Sequence, residues 1–274
     1  MQVIEFWSKG QEAFRFLSNF HPCQVHYKGV VFSSAEHAYH WEKLANKEDF
    51  NLLESCSAAE IKKKISSFKK VENWEQIKIG LMRDITKAKF DQNADLRKKL
   101  MKLYLEGSVF VHEIPWKDTF WGSYQKIGLN MQGSLISQYA FELLKEKVGI
   151  KQRVLNQEKR AFYVGRPSKF GNPFVLKESS DIDERYEVIK KFALYLSEQD
   201  TLLKDLAEVK DRQVSCFCAP LDCHADILLC AQWICEQRGL ESCKSWLRAF
   251  SVQGYSWDPP DLRKKETWQQ DDLF

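Results

Sequence analysis

A chain of 274 residues with 44% hydrophobic and 13% aromatic side chains holds enough apolar material for packed cores. That excludes a mainly disordered or low-complexity protein and suits two compact domains better than one. The formal net charge of +3, from 41 basic and 38 acidic side chains, is too mild to mark a nucleic-acid binder by itself, although residues 1–150 hold 22 of the basic and 18 of the acidic side chains and so permit contact with phosphates.

Glu5, Lys9 and Glu12 interrupt the N-terminus, and Gln232 interrupts the most apolar later stretch, 227–235. Neither a secretory leader nor a membrane span is expected, and the chain reads as cytoplasmic with no membrane partner. Six of the eight cysteines (Cys216, Cys218, Cys223, Cys230, Cys235, Cys243) crowd into the second half. In a chain this large they read as thiols or ligands rather than as staples.

In chain order, residues 25–32 predict a strand pair around Lys28-Gly29. Apolar periodicity predicts helices over 34–46, 58–66, 74–90, 94–105 and 131–147, with a strand at 109–114. A polar connector spans 150–160. Beyond it the order is strand 161–165, helix 183–197, short helix 200–208, strand 213–217 and helix 225–238, an alternation that suggests a small α/β domain. The expected architecture is a helix-dominated α+β domain over 1–150, a small α/β domain over 151–250 and an irregular tail over 251–274.

The helix from Ser34 is the most informative element. Glu36, His40 and Lys43 fall at i, i+4 and i+7 and share one face, while Ala38, Trp41 and Ala45 lie on another and can pack inward. A carboxylate, an imidazole and an amine on one stripe can do acid–base or nucleophilic work. The plain structural alternative is a capping box, Ser33 with Glu36, followed by a solvated face.

Further along, Trp116, Phe120 and Trp121 surround Asp118. They form either an aromatic platform around a desolvated carboxylate or core aromatics beside a turn-capping Asp. Gly128-Leu129-Asn130-Met131-Gln132-Gly133 opens a helix, where glycines let backbone approach a ligand and free N–H groups hold phosphate.

In the second domain, Gly165, Arg166 and Asn172 follow a strand and suit an anion pocket. Cys223 and His224 enter a helix near the same strand ends. Cys216, Cys218, Cys223 and His224 have the donor types of a zinc tetrahedron. Cys-x-Cys places alternate strand residues on one face, however, while adjacent Cys223 and His224 should diverge, so no metal is assigned.

Taken together, Phe16-Leu17-Ser18-Asn19-Phe20, Pro22, Tyr27-Lys28-Gly29, Phe32-Ser33-Ser34-Ala35-Glu36-His37, Trp74, Met82, Lys89-Phe90, Asn93, Glu113, Asp118, Trp121-Gly122 and Gly128 to Gly133 resemble, in that order, the NADAR (YbiA-like) family. The chain departs from the family's habit in two places: Lys62-Lys63-Lys64-Ile65-Ser66 lacks a basic-glycine turn, and Ile136-Ser137-Gln138-Tyr139 lacks an arginine. Residues 160–232, with Gly-Arg-Pro, Gly-Asn-Pro-Phe and Cys-x-Cys…Cys-His pieces, resemble a small domain family of unknown function.

The first resemblance implies N-glycosidase activity without a cofactor. The substrate would be ADP-ribosylated guanine in DNA or RNA, or a ribosylated small metabolite of riboflavin synthesis. A non-catalytic ADP-ribose or NAD sensor is the rival of another class. The resemblance assigns catalysis to Glu36, Lys43 and Asp118. It assigns substrate binding to Phe20, Ser34, His37, His40, Trp74, Lys89, Trp121, Gly122, Gly128, Asn130 and Gly133. Either a Schiff base on Lys43 or direct hydrolysis by a water activated at Glu36 or Asp118 would serve.

Overall fold

The computed structural model describes residues 1–149, 161–177, 181–218 and 221–253. The connector expected at 150–160 and the tail from 254 lie outside the described residues. The fold is helix-rich α+β, followed by a region of helices with short strands. The packing divides into two compact units. One comprises Ile4–Met101 with Phe110–Tyr139. The other gathers Met1–Val3, Lys102–Val109 and the described residues from 140 on. The second unit thus takes in three pieces of chain, 1–3, 102–109 and 140–149, from the stretch expected to form the first domain.

β1 (Gln2–Glu5) pairs with β4 (Ser108–Val111), and β2 (Val25–Tyr27) with β3 (Val30–Phe32). The β2–β3 hairpin is antiparallel, with Tyr27 opposite Val30. Lys28 and Gly29 both have positive φ, 49° and 81°, the turn that two-residue hairpins favour.

The helices are α1 (Ala35–Lys43), α2 (Ala58–Lys64), α3 (Trp74–Gln92), α4 (Ala94–Leu105) and α5 (Met131–Val148). Tight 3-10 turns at Glu12–Leu17 and Lys47–Leu52 join them and have no counterpart in the periodicity. Tyr39 and Leu44 from α1 and its end pack with Phe32, Phe50, Trp74, Ile79, Met82 and Leu135 in one apolar core.

Helix α1 ends three residues before its expected limit. Leu44 turns extended, at φ −71° and ψ 130°, and the flanking backbone is held by residues 69–71: Val71 N–H donates to the Lys43 carbonyl at 3.1 Å and Ala45 N–H to the Lys69 carbonyl at 2.9 Å. Ala45, expected to pack inward, is exposed because it lies past this end.

In the second unit, β5 (Phe162–Tyr163) and β6 (Val214–Ser215) pair in parallel. Helices α6 (Ile182–Ser197), α7 (Asp200–Asp205), α8 (His224–Arg238) and α9 (Leu240–Val252) surround them, with α9 packed on α6 and α8. Helix α8 is buried almost all round, as expected of a central helix. Among the described residues, no helix is long and apolar enough to cross a membrane.

Candidate active site and a second cavity

A cavity of about 310 Å³ in the first unit is lined by Glu36, His40 and Lys43 from α1, Trp74, Glu75, Lys78 and Met82 from α3, and Lys62 from α2. Asn19, Phe20, His112, Trp116, Asp118, Trp121 and Gln132 complete much of the wall. The i, i+4, i+7 stripe therefore faces one cavity, and the solvated-face alternative does not hold. Glu36 and His40 are 6% and 3% exposed. The expected Ser33 capping box is absent: Ser34 caps α1, and the Glu36 carboxylate turns to His40 Nε2 at 3.0 Å. The Glu36 backbone N–H donates to the Asn19 carbonyl at 3.0 Å, which seats the first turn.

The electrostatics follow from burial and neighbours. Burial raises the Glu36 pKa, but the His40 hydrogen bond and charge, aided by Lys62 and His112, leave it below the usual carboxylate range. Glu36 is therefore ionised at neutral pH. Burial, with repulsion from Lys70, pushes the Lys43 amine below the ordinary lysine range, against attraction from Glu36 and Glu75. The Lys43 Nζ lies 5.8 Å from the Trp74 ring centre. Burial likewise lowers His112, whose Nδ1 meets the Trp121 carbonyl at 3.4 Å.

The aromatic wall is a packed set. Tyr39 lies 4.9 Å from Trp74 and 5.6 Å, edge-on, from Trp121 (ring centres). Lys62 sits over Phe20 and Trp116, and Lys78 over Phe120 at 3.9 Å. Asp118 is half-buried rather than desolvated. One of its oxygens accepts the backbone N–H groups of Phe120 and Trp121, at 3.3 and 3.0 Å. It caps a turn and lines the cavity at once.

Several residues expected to bind substrate lie outside the lining. Ser34 is the helix cap, and its hydroxyl meets His37 Nδ1 at 2.7 Å. His37 Nε2 reaches the Cys56 carbonyl at 2.8 Å, so the pair ties α1 to the chain before α2. Lys89 is 1% exposed and donates to the Phe16 and Ser18 carbonyls, both at 2.7 Å. It pins the segment that carries Asn19 and Phe20.

Gly122, Gly128 and Gly133 face the chain's own backbone rather than a ligand. A Cβ there would meet the His112, Gly122 and Phe110 carbonyl oxygens at 2.5, 2.4 and 2.2 Å. Asn130, at φ 49°, bonds His112 N–H and the Phe110 carbonyl, both at 2.8 Å. The first N–H groups of α5 are not open to phosphate: Met131 and Gln132 donate to the Phe120 and Trp121 carbonyls.

Sequence reasoning passed over Asn19 and Gln132, whose amides exchange two hydrogen bonds of 2.9 and 3.1 Å across the cavity wall. Both stood inside quoted motifs, and their joint polarity beside apolar neighbours was the available signal. Tyr39, Lys62, Glu75, Lys78 and His112 had no comparable mark, whereas Trp116 stood in the aromatic set around Asp118. Lys62 comes from the very segment that departs from the family habit.

A second cavity, of about 300 Å³, is lined by all five residues expected there, Gly165, Arg166, Asn172, Cys223 and His224, together with Tyr163, Phe174, Arg185, Cys216 and Cys218. Asn172 Oδ1 accepts the Phe174 N–H at 2.9 Å, and a Cβ on Gly165 would strike the Tyr163 hydroxyl at 2.4 Å.

Residues 149–232 match a domain of unknown function, DUF4326. A riboflavin biosynthesis protein of Vibrio vulnificus is 30% identical over 128 residues, 44% of this chain and 33% of that protein. The chain thus spans one third of that relative's length. An N-glycosidase of Nostoc punctiforme is 25% identical over 145 residues, 50% of this chain and 91% of that protein. The NMR structure of the Escherichia coli protein YbiA is similar over 54% of this chain and 89% of that one, at 25% identity and a TM-score of 0.48. The NADAR domain model matches residues 5–142, and by that match over half its length the chain belongs to the NADAR family.

Proposed function

We propose that the NADAR unit is an N-glycosidase that hydrolyses a ribose–base bond and removes ADP-ribose from guanine in nucleic acid. The observation that carries this reading is the stripe of buried Glu36 and His40 and half-buried Lys43 on one wall of an aromatic cavity. Burying a carboxylate is costly and rarely repaid by stability alone, and such groups cluster where chemistry is done. A sensor needs the aromatic wall but not Glu36 and Lys43 together. Lys43, Lys62 and Lys78 around the cavity suit a phosphate-bearing substrate, and Trp74, Trp121 and Phe20 suit a base.

The steps balance as follows. In the ring-opened sugar, C1′ is an iminium joined to the exocyclic amine of the base. Neutral Lys43 Nζ adds to C1′. Glu36 takes the proton released from Nζ and passes it to the base nitrogen, and the C1′–base bond breaks. Lys43 then holds C1′ as a Schiff base. Water, deprotonated by Glu36, adds to C1′ and returns the free amine and the sugar. Direct attack by water activated at Glu36 or Asp118 is the non-covalent route.

The test is release of ADP-ribose from a guanine-ADP-ribosylated oligonucleotide, followed by mass spectrometry. Wild type should release it, and Glu36→Gln should lose about 10²- to 10⁴-fold in rate. No release by folded wild type would overturn the nucleic-acid substrate. The name of the Vibrio relative favours a second reading, a ribosylated intermediate of riboflavin synthesis, and cleavage of such a compound alone would select it.

A further inference from the structure

The second unit brings together side chains that the sequence pattern appeared to separate. Cys216, Cys223 and His224 are all buried, and one donor atom from each lies within 4.8 Å of the other two. Cys216 directly follows β6, whereas Cys223 caps α8 from an extended conformation, φ −158° and ψ −176°. That extended cap lets the neighbouring Cys223 and His224 converge. Cys218, two residues beyond Cys216, lines the same cavity as these three.

Two further features fit a cation. His224 Nε2 lies 2.9 Å from the Val164 carbonyl oxygen, which can only accept, so Nε2 carries the proton and the ring's lone pair is on Nδ1. An imidazole held through its other nitrogen by a backbone carbonyl is the usual outer arrangement of a metal ligand. The Cys223 sulfur accepts the Ala225 N–H at 3.4 Å, which fixes it at the start of a 15-residue helix.

We propose that Cys216, Cys218, Cys223 and His224 bind one zinc ion, tying the end of β6 to the start of α8. Thiolate and imidazole donors select zinc over magnesium or calcium. On binding, the three thiols each give up a proton as a zinc–sulfur bond forms, and nothing is oxidised. The ion would stand in the wall of the second cavity, beside Arg166 and Arg185.

The test begins with elemental analysis of the full chain purified under reducing conditions from zinc-supplemented cells. About one zinc per chain is expected. Cobalt(II) exchanged into the site should give the visible bands of a tetrahedral ion and a thiolate charge-transfer band. Cys218→Ser should weaken that band by roughly one third, whereas Cys23→Ser, in the other unit, should leave it unchanged. Cys216→Ser should lower zinc affinity at least about a hundredfold, since even outer partners account for 10- to 100-fold.

If Cys216→Ser fails to fold, chelation of wild type serves instead and should lower its unfolding temperature reversibly. A folded, metal-free protein as isolated, a cobalt spectrum without thiolate charge transfer, or a Cys216–Cys223 disulfide would each overturn the proposal. A band of full strength in Cys218→Ser would overturn Cys218 as the fourth ligand.

Discussion

Lys43 decides between the two routes to bond cleavage. Its amine is pushed below the ordinary lysine range by burial and by Lys70, which raises the neutral fraction available for attack at a given pH. The carboxyl of Glu36 lies below its usual range and stays ionised throughout. Activity should therefore rise with pH as Lys43 loses its proton, and the rise should be centred below the value of an exposed lysine. Borohydride added during turnover should trap a protein–sugar adduct in wild type and none in Lys43→Ala. An adduct that survives Lys43→Ala would rule out Lys43 as the nucleophile, and no adduct in an active wild type would leave direct hydrolysis by Glu36 or Asp118 as the route.

At the scale of single elements, the capping of α1 is what aims the stripe. Ser34 accepts the His37 N–H and also holds the His37 ring, whereas Ser57 caps α2 through an exposed box with Glu60. Ser34→Ala and Ser57→Ala should each lower stability by about 1 kcal/mol, the usual worth of a cap. Thermal unfolding measures that loss. Only Ser34→Ala should also lower kcat, because α1 carries Glu36 and Lys43 while α2 contributes only Lys62 to the lining. Equal losses of kcat in both variants would show that α1 is seated by its packing and not by its cap.

The same elements show what periodicity can reveal. Helices α3, α4 and α5 lie within two residues of expectation, since each carries a long apolar repeat. The 3-10 turns were invisible because six residues hold too little of a repeat. Helix α9 was legible but passed over: Leu240, Cys243, Trp246, Leu247 and Phe250 keep helical spacing, and Gly239 at φ 83° should have been taken as the break from α8. The glycines of the α5 start misled for a physical reason. A glycine demanded by close backbone packing and one demanded by a ligand leave the same letter in the sequence.

At the scale of the whole molecule, stripe chemistry was legible because it needs only one helix, while the remaining lining residues come from elements far apart in the chain. Lys89 is the clearest case. Its place in a quoted motif suggested substrate contact, yet it is a buried strut, and its amine is pushed down to about 8 by burial. This has a consequence for the stability of the whole NADAR unit.

Below about pH 8 both folded and unfolded chains carry the Lys89 charge, and the folded state bears the full cost of burying it. As pH rises from about 8 towards 10.5, the folded state releases its proton first. The unfolded state then binds more protons, and stability rises with pH. The gain approaches roughly 3 kcal/mol across that window. Lys89→Met removes the charge but also the two bonds to the Phe16 and Ser18 carbonyls. The difference in unfolding free energy between wild type and variant, followed by denaturant titration from pH 7 to 10, should therefore shift in favour of wild type as pH rises. A difference that stays flat with pH would mean that the amine keeps its charge in the folded state throughout.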